Sequence, residues 1–559
     1  MICSPTSIAK ILTRRRPDVI STLIILLRRS TQHDANPIHL PRTLLILLHI
    51  TKELSTARLQ KSRVALQAAT PEIVQVLGQI YLEKVQSWQE ALSSNAGDQA
   101  TMQQNMEASL LAIKTLRRLF VVGYEFPNRE SDVHQFWQLT YAQVGAFMNL
   151  ISSQAATLPE ELGVPLEKHL LQLSKLHLEM AKAHPAAFVL LPNSLDLVRS
   201  YWALIKQFGQ DFGSSLTSGG STGDQGEQKP FQEKVSLSGL KLIRACIKMV
   251  FNPVQSFKYK HPQDKIEKAE AIAAVKEQLL TEVFVTEVME VVVTKFFVFR
   301  QGELQEWEED PEEWEQSLEG ESEGWEYSVR PCAEKLFLDL ALNFRDLLTQ
   351  PLLNVFYTVA APDNEDVLFK DSVYTAIGLA AAVLQQHLDF DSFLSNTIVV
   401  EVQKQKPGFN ILRRRIAILL GQWITVKVSA ENRPLVYKIF QHMLDPSDSC
   451  NDQVVRITAG RQFKNIVDDW EFSPKQFLPY VQTTMTQLLG LIEEVDNVET
   501  KMALLNTISV LVERLEHHVS MTTIMMVKMT LIYTRLHRML RRSSTSCPTY
   551  GNSPGTSTS

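Results

Sequence analysis

Cysteine is scarce in this chain: Cys3, Cys246, Cys332, Cys450 and Cys547 are scattered through 559 residues and never stand in a CxxC spacing. That usage argues against a disulfide framework and against a zinc site, and a reducing compartment fits it best. Long apolar runs are missing as well. Leu44–Ile50 and Val291–Phe299 fall well short of the roughly 18 residues that a membrane-spanning helix needs, and Lys295 interrupts the second. No membrane insertion is therefore expected. Strand-type alternation is hard to find over more than a few positions. No GxxxxGK(S/T), GxGxxG or HExxH occurs, so catalysis has no visible seat and the chain reads as a non-enzyme.

What is present is helical pattern almost everywhere. In the last third, helix candidates begin near Asn410, Glu431, Asp452, Ser473, Asn497 and Met521. Alternate starts are therefore about 40 to 47 residues apart, the period of a HEAT-type helix pair. Ser473 with Pro474 and Gln476 reads as an N-cap, a first-turn proline and a capping-box partner. Asp452, Val455, Arg456 and Ala459 follow a D-x-x-V-R-x-x-A pattern in which the small alanine lets helices approach. Upstream the rhythm continues through Leu40–Ser55, Thr70–Leu92, Met106–Val122, Asp132–Ile151, Leu166–Ala183, Ser194–Phe208 and Phe231–Phe251. Thr70 and Pro71 look like a cap and first-turn proline. Gln263–Val298 is expected to split near Thr281, and helices resume from Cys332 to Val402. The expected fold is all-α, a superhelical HEAT-repeat solenoid of antiparallel helix pairs.

The first 33 residues hold six basic side chains (Lys10, Arg14, Arg15, Arg16, Arg28, Arg29) against Asp18 alone. This reads either as a mitochondrial presequence or as an ordinary helix, Val19–Arg29, opened by Asp18, and the second is preferred. The expected organisation is HEAT-like repeats over 1–208, a disordered Gly/Ser-rich insert at 209–230, and central repeats over 231–302. An acidic tryptophan-containing loop at 303–328, C-terminal repeats over 329–542 and a disordered tail at 543–559 complete it.

The most distinctive segment is Glu303–Glu326, which carries twelve carboxylates and three tryptophans with no Lys or Arg. The chain is −6 overall and this segment alone is −12, leaving the other 535 residues at +6. Charge this concentrated attracts basic proteins and repels nucleic acid. Pro311 between Trp307 and Trp314, and like charges at helical spacing, predict a loop with a helical turn at most. The indoles either stack on a partner's Lys or Arg, or pin the segment onto its own scaffold.

Other chemistry is weaker. His177 and His184 stand two helical turns apart, too far for one metal, and the adjacent His517 and His518 point to different sides. The acidic carboxylates lack an EF-hand's alternating ligands and central glycine. No metal or cofactor is expected. Arg413, Arg414 and Arg415, and Lys258, Tyr259 and Lys260, read as solvated helix faces rather than phosphate contacts, and no direct nucleic-acid binding is expected.

The strings FFVFRQGELQEWEEDPEEWE (Phe296–Glu315) and GWEYSVRPCAEKLFLDLALNFRDLLTQPLLNVF (Gly324–Phe356) resemble the acidic-loop region of importin-β-type nuclear transport receptors. The pattern W-E-x-D-P-x-E-W is spelled by Trp307, Glu308, Asp310, Pro311, Glu313 and Trp314. Leu40–Leu59, Leu110–Pro127 and Leu420–Phe472 add further matches, and the likeness runs roughly from Pro17 to Leu540. The resemblance implies an importin-like receptor that binds basic protein cargo, Ran-GTP and Phe-Gly-repeat nucleoporins. It implies residence in nucleus and cytoplasm, including the nuclear envelope and pore. It also implies that the acidic loop contacts a partner through Glu306, Trp307, Glu308, Glu309, Asp310, Glu312, Glu313, Trp314 and Glu315. Against the family pattern the chain is expected to begin after most N-terminal repeats and to stop before the C-terminal ones. An export receptor of the same superfamily and a non-transport HEAT scaffold for a protein complex are the alternatives.

Overall fold

A computed structural model describes residues 19–31, 36, 38–57, 60–94, 98–154, 159–216, 230–252, 262–319, 324–361 and 363–515. Among these residues every regular element is helical and no strand occurs. They fall into two compact units, one drawn from Met1–Phe296 with Glu321–Leu347 and the other from Phe297–Gly320 with Leu348–Ser559. The architecture within each is the HEAT-type helical solenoid that the period implied.

In the first unit the helices are α1 (Val19–Ser30), α2 (His39–Thr56), α3 (Gln60–Ser94), α4 (Gln99–Val122), α5 (Ser131–Gln154) and α6 (Glu160–Ala183). They continue with α7 (Ser194–Asp211), α8 (Phe231–Phe251), α9 (Pro262–Ala274) and α10 (Glu282–Val291). Two further helices follow in the second unit, α11 (Gln301–Glu309) and α12 (Pro311–Glu319). The chain then returns to the first unit as α13 (Val329–Asn343). Within the first unit α2, α4, α6, α8 and α13 pack side by side as one layer, and α3, α5 and α7 form the second. Each pair thus buries its apolar stripe only against its neighbours. Tyr201, Trp137 and His177 lie in this core, with Trp137 edge-on to His177.

The expected break at Thr281 is present: Thr281 is extended and its side chain accepts from the Phe284 N–H, opening α10. The expected start at Thr70 is not. Helix α3 runs unbroken through Pro71, and the Thr70 hydroxyl donates to the Leu66 carbonyl at 2.8 Å instead of capping. Proline is tolerated there because the missing N–H frees one carbonyl while α3 stays packed on α4. Helix α7 extends through Asp211, into the segment expected to be irregular, and residues 217–229 of that segment lie outside the described residues.

The second unit continues with α14 (Arg345–Val359), within which the division falls, then α15 (Val367–Leu379), α16 (Phe409–Lys427), α17 (Arg433–Leu444), α18 (Gln453–Asp468), α19 (Val481–Glu494) and α20 (Val498–Leu515). The starts of α16 to α18 and α20 fall within two residues of those expected. The helix expected at Met521, the tail after 543, His517, His518 and Lys258–Lys260 lie outside the described residues. Helices α15, α16, α18 and α20 pack in one row, with α17 and α19 in the other. Gly408 (φ +81°) takes the left-handed turn into α16, a conformation that costs glycine little. Gly460 lets α18 approach α20, since a β-carbon there would strike the Leu504 side chain.

Local capping readings meet mixed outcomes. Asp452 caps α18, accepting from Val455 N at 2.9 Å. Pro474 does open a short helix, but Ser473 makes no capping bond, and Gln476 donates to the Ala430 carbonyl of the preceding repeat. Arg413, Arg414 and Arg415 are not solvated. Arg413 is fully buried against Asp448 at 2.9 Å, and Arg415 binds Asp371 at 2.7 Å. Arg413 finds its carboxylate in the loop before α18 and Arg415 on α15, so the burial of charge is compensated.

Candidate partner-binding hairpin

The acidic segment opens as a helical hairpin, not a loop. Helix α11 ends at Asp310, whose carboxylate accepts from the Glu313 N–H at 3.0 Å, and Pro311 begins α12 in the first-turn position that suits it. Proline here turns the chain from one helix into the next. Glu312 and Glu313 occupy the first turn of α12, where the helix dipole favours negative charge.

Both indoles face inward, and each is 4% exposed. Trp307 and Trp314 lie with centroids 4.7 Å apart, and Phe299 closes the cluster at 6.1 Å and 5.9 Å. Arg414 of α16 places its guanidinium 4.8 Å from the Trp314 centroid. The Trp307 Nε1–H donates to Asp452 at 2.9 Å, on the carboxylate oxygen that also accepts from Asn410 at 2.8 Å. A buried indole N–H thus finds its partner on the cap of α18.

Two of the carboxylates are likewise taken up within the unit. Glu315 is buried, accepting from Thr458 Oγ1 at 3.0 Å, with Arg414 and Arg461 each at 3.5 Å. Glu312 accepts from the backbone N–H groups of Asp496 at 2.8 Å and Asn497 at 2.7 Å, at the N-terminus of α20. Gln316 bonds the Asn497 side chain beside it. Trp307, Glu312, Trp314 and Glu315, expected to meet a partner, are thereby corrected to anchors of the hairpin. The indoles' own-scaffold alternative is the one realised, because α12 packs on α18 and α20.

The other expected residues stay at the surface. Glu308, Glu309, Asp310 and Glu313 are exposed and Glu306 is half-buried. None of the five has an ion pair among the described residues. The result is a rigidly mounted acidic face. The third tryptophan, Trp325, belongs to the first unit and stacks on Arg244, whose guanidinium lies 4.5 Å from its centroid.

His177 is buried between Tyr201 and Thr140, and His184 bonds the Val121 carbonyl, so the two do not converge. Among the described residues no group of three or more His, Cys, Asp and Glu could hold a metal, and no helix is long and apolar enough to cross a membrane.

Comparison with known proteins decides the family. Human importin-11 is 31% identical over 507 residues, which cover 90% of this chain and 48% of that protein. The importin beta-like protein Kap120 of Saccharomyces cerevisiae is 31% identical over 474 residues, 83% of this chain and 44% of its own. The chain is a homologue of the importin-β-like receptors. It spans about half the length of these relatives. In the solved structure of Lph2, described as a bidirectional nuclear transport receptor of S. cerevisiae, the likeness has a TM-score of 0.80 at 27% identity. It covers 94% of this chain and 50% of that one. The exportin Cse1 in its cargo-free state shares the fold at a TM-score of 0.56 and 13% identity, over 92% of this chain and 50% of that one. No family model matches the chain.

Proposed function

We propose that this chain serves in nuclear transport, as an importin-like receptor or a part of one, carrying protein cargo between cytoplasm and nucleus under the control of Ran-GTP. Homology to importin-11 over 90% of the chain carries this reading. The helix rows supply a scaffold, and the outer face of the hairpin, formed by Glu306, Glu308, Glu309, Asp310 and Glu313, engages a basic surface on cargo or on Ran. Trp307, Trp314, Glu312 and Glu315 position that face. Individual exposed ion pairs contribute only about 0.2–1 kcal/mol. The acidic face therefore acts on encounter rate and selectivity more than on affinity. Contact with Phe-Gly-repeat segments of pore proteins belongs to the same proposal, as does residence at the pore.

A pull-down of the purified chain against Ran loaded with GTP or GDP, with and without a basic cargo, tests it. Preference for the GTP form, with cargo displaced, is the expected result. Binding of neither form would leave a non-transport scaffold as the better account. Because Lph2 is described as bidirectional, export is the second reading, and it predicts that cargo and Ran-GTP bind together.

A further inference from the structure

A cleft of about 350 Å³ opens in the first unit, between the end of α6, α8, the start of α9 and Trp325. Much of its wall is apolar, formed by Ala181, Ala187, Met249 and the Trp325 ring. Basic groups gather on it. Lys248, one turn along α8 from Arg244 on the same face, places its ammonium 5.4 Å from the Trp325 centroid. Partial desolvation against the cleft wall, then the nearby Arg244 and Lys182, hold the Lys248 ammonium below its ordinary pKa.

Two of the acids on the rim are engaged by another arginine. Asp264 and Glu267 are both bound by Arg129, at 2.8 Å each. Arg244 is held by Asp339 through Nε at 2.7 Å, and its buried Nη1 has no hydrogen-bond partner among the described residues. A buried donor left without an acceptor is costly, and so is convergence of like charge at a partly desolvated site. An anion between the lysines relieves the second cost.

We propose that this cleft binds an acidic segment of a partner protein, with a carboxylate held between Lys182 and Lys248 and an adjacent apolar side chain seated against Trp325 and the alanine wall. A nucleic-acid backbone fits less well. Its largely apolar wall suits a side chain beside a single carboxylate rather than a continuous run of phosphates. This partner is opposite in charge to the one proposed for the hairpin, so the two surfaces are separable.

The test uses the full chain and a fluorescein-labelled peptide of alternating glutamate and leucine, followed by anisotropy. Saturable binding that weakens with salt is expected, with K182E/K248E losing roughly tenfold or more and K248R retaining most of it. W325A also weakens binding. Both lysines are exposed, and unchanged thermal melting of K182E/K248E shows that the fold is kept. The proposal is overturned if the peptide does not saturate the chain, if a glutamine–leucine peptide binds equally well, or if K182E/K248E binds as before. Displacement by an RNA oligonucleotide or inorganic phosphate at lower concentration than by unlabelled peptide also overturns it, in favour of a phosphate ligand.

Discussion

The carboxylate of Glu312 accepts a hydrogen bond from the backbone N–H of Asn497, 2.7 Å away and 185 residues further along the chain. With Asp496 N–H on the other oxygen, Glu312 fixes the chain just ahead of α20, whose N-cap is Asn497 itself, its Oδ1 accepting from the Glu499 N–H at 2.8 Å and the Thr500 N–H at 3.3 Å. A negative group at a helix N-terminus is favoured both by the unpaired N–H groups and by the dipole. The acidic hairpin is therefore part of what holds its own scaffold in place.

Glu312→Ala removes both acceptors at once. Hydrogen bonds to a charged group contribute about 1.5–3 kcal/mol, and a loss in that range is expected for the second unit. Amide exchange at Asp496 and Asn497 should accelerate with it. Glu309→Ala, on the exposed side, should leave exchange unchanged, and equal acceleration in both variants would refute the anchoring role.

Much of this molecule is readable in its sequence, and the parts that are not share a cause. Helices α16 to α20 announce themselves through apolar spacing and through Asp452, because a helix in a solenoid is specified mainly by its own stripe. The hairpin is misread because like charges and Pro311 are local signals, whereas its stabilising partners are remote: Asp452 lies 145 residues from Trp307, and Thr458 lies 143 from Glu315. Arg413 is misread for the same reason, since Asp448 belongs to the next repeat. W-E-x-D-P-x-E-W does contain the signal for the hairpin turn, in the Asp-Pro cap and the seven-residue tryptophan spacing. What it lacks is the neutralising environment.

The exposed carboxylates are separable from the anchors. Glu308, Glu309 and Glu313 replaced together by glutamine should leave the melting temperature within about a degree, since surface substitutions usually stay within about 0.5 kcal/mol. Association with a basic cargo peptide should slow and lose part of its salt dependence, while dissociation changes less. Stopped-flow mixing across a salt series reads both, and unchanged association would remove the acidic face from the proposed function.

Two histidines give the first unit a pH dependence. Burial pushes His169 down to about 4 and His177 down to about 3 from an ordinary value of 6.5. His169 donates from Nδ1 to the Pro165 carbonyl, leaving Nε2 to accept from Ser109. The unfolded chain takes up protons below about 6.5 and the folded one does not, so stability falls as pH drops from there towards 4, by about 1.4 kcal/mol per unit for each histidine once unfolded titration is complete. Above 6.5 these groups contribute no slope. Urea unfolding of the first unit's signal at pH 7.5 and 5.5 measures the effect, which His177→Gln should reduce.

Lys370 and Glu401 form an ion pair with side chains 1% and 0% exposed, between α15 and the short helix Val399–Gln403. Tyr374 donates to the second Glu401 oxygen at 3.0 Å, and Lys370 also reaches the Ala361 carbonyl at 3.1 Å. The pair is fully desolvated, so its attraction mainly offsets the cost of burying it. Lys370→Met alone leaves a buried carboxylate without its cation and should cost about 3–5 kcal/mol. Replacing Lys370 by Met, Glu401 by Leu and Tyr374 by Phe together removes every stranded group except the Ala361 carbonyl, and most of that loss should return. Equilibrium denaturation of the single and triple variants decides the matter: a triple variant no more stable than the single one would show that the pair contributes net stability rather than compensation.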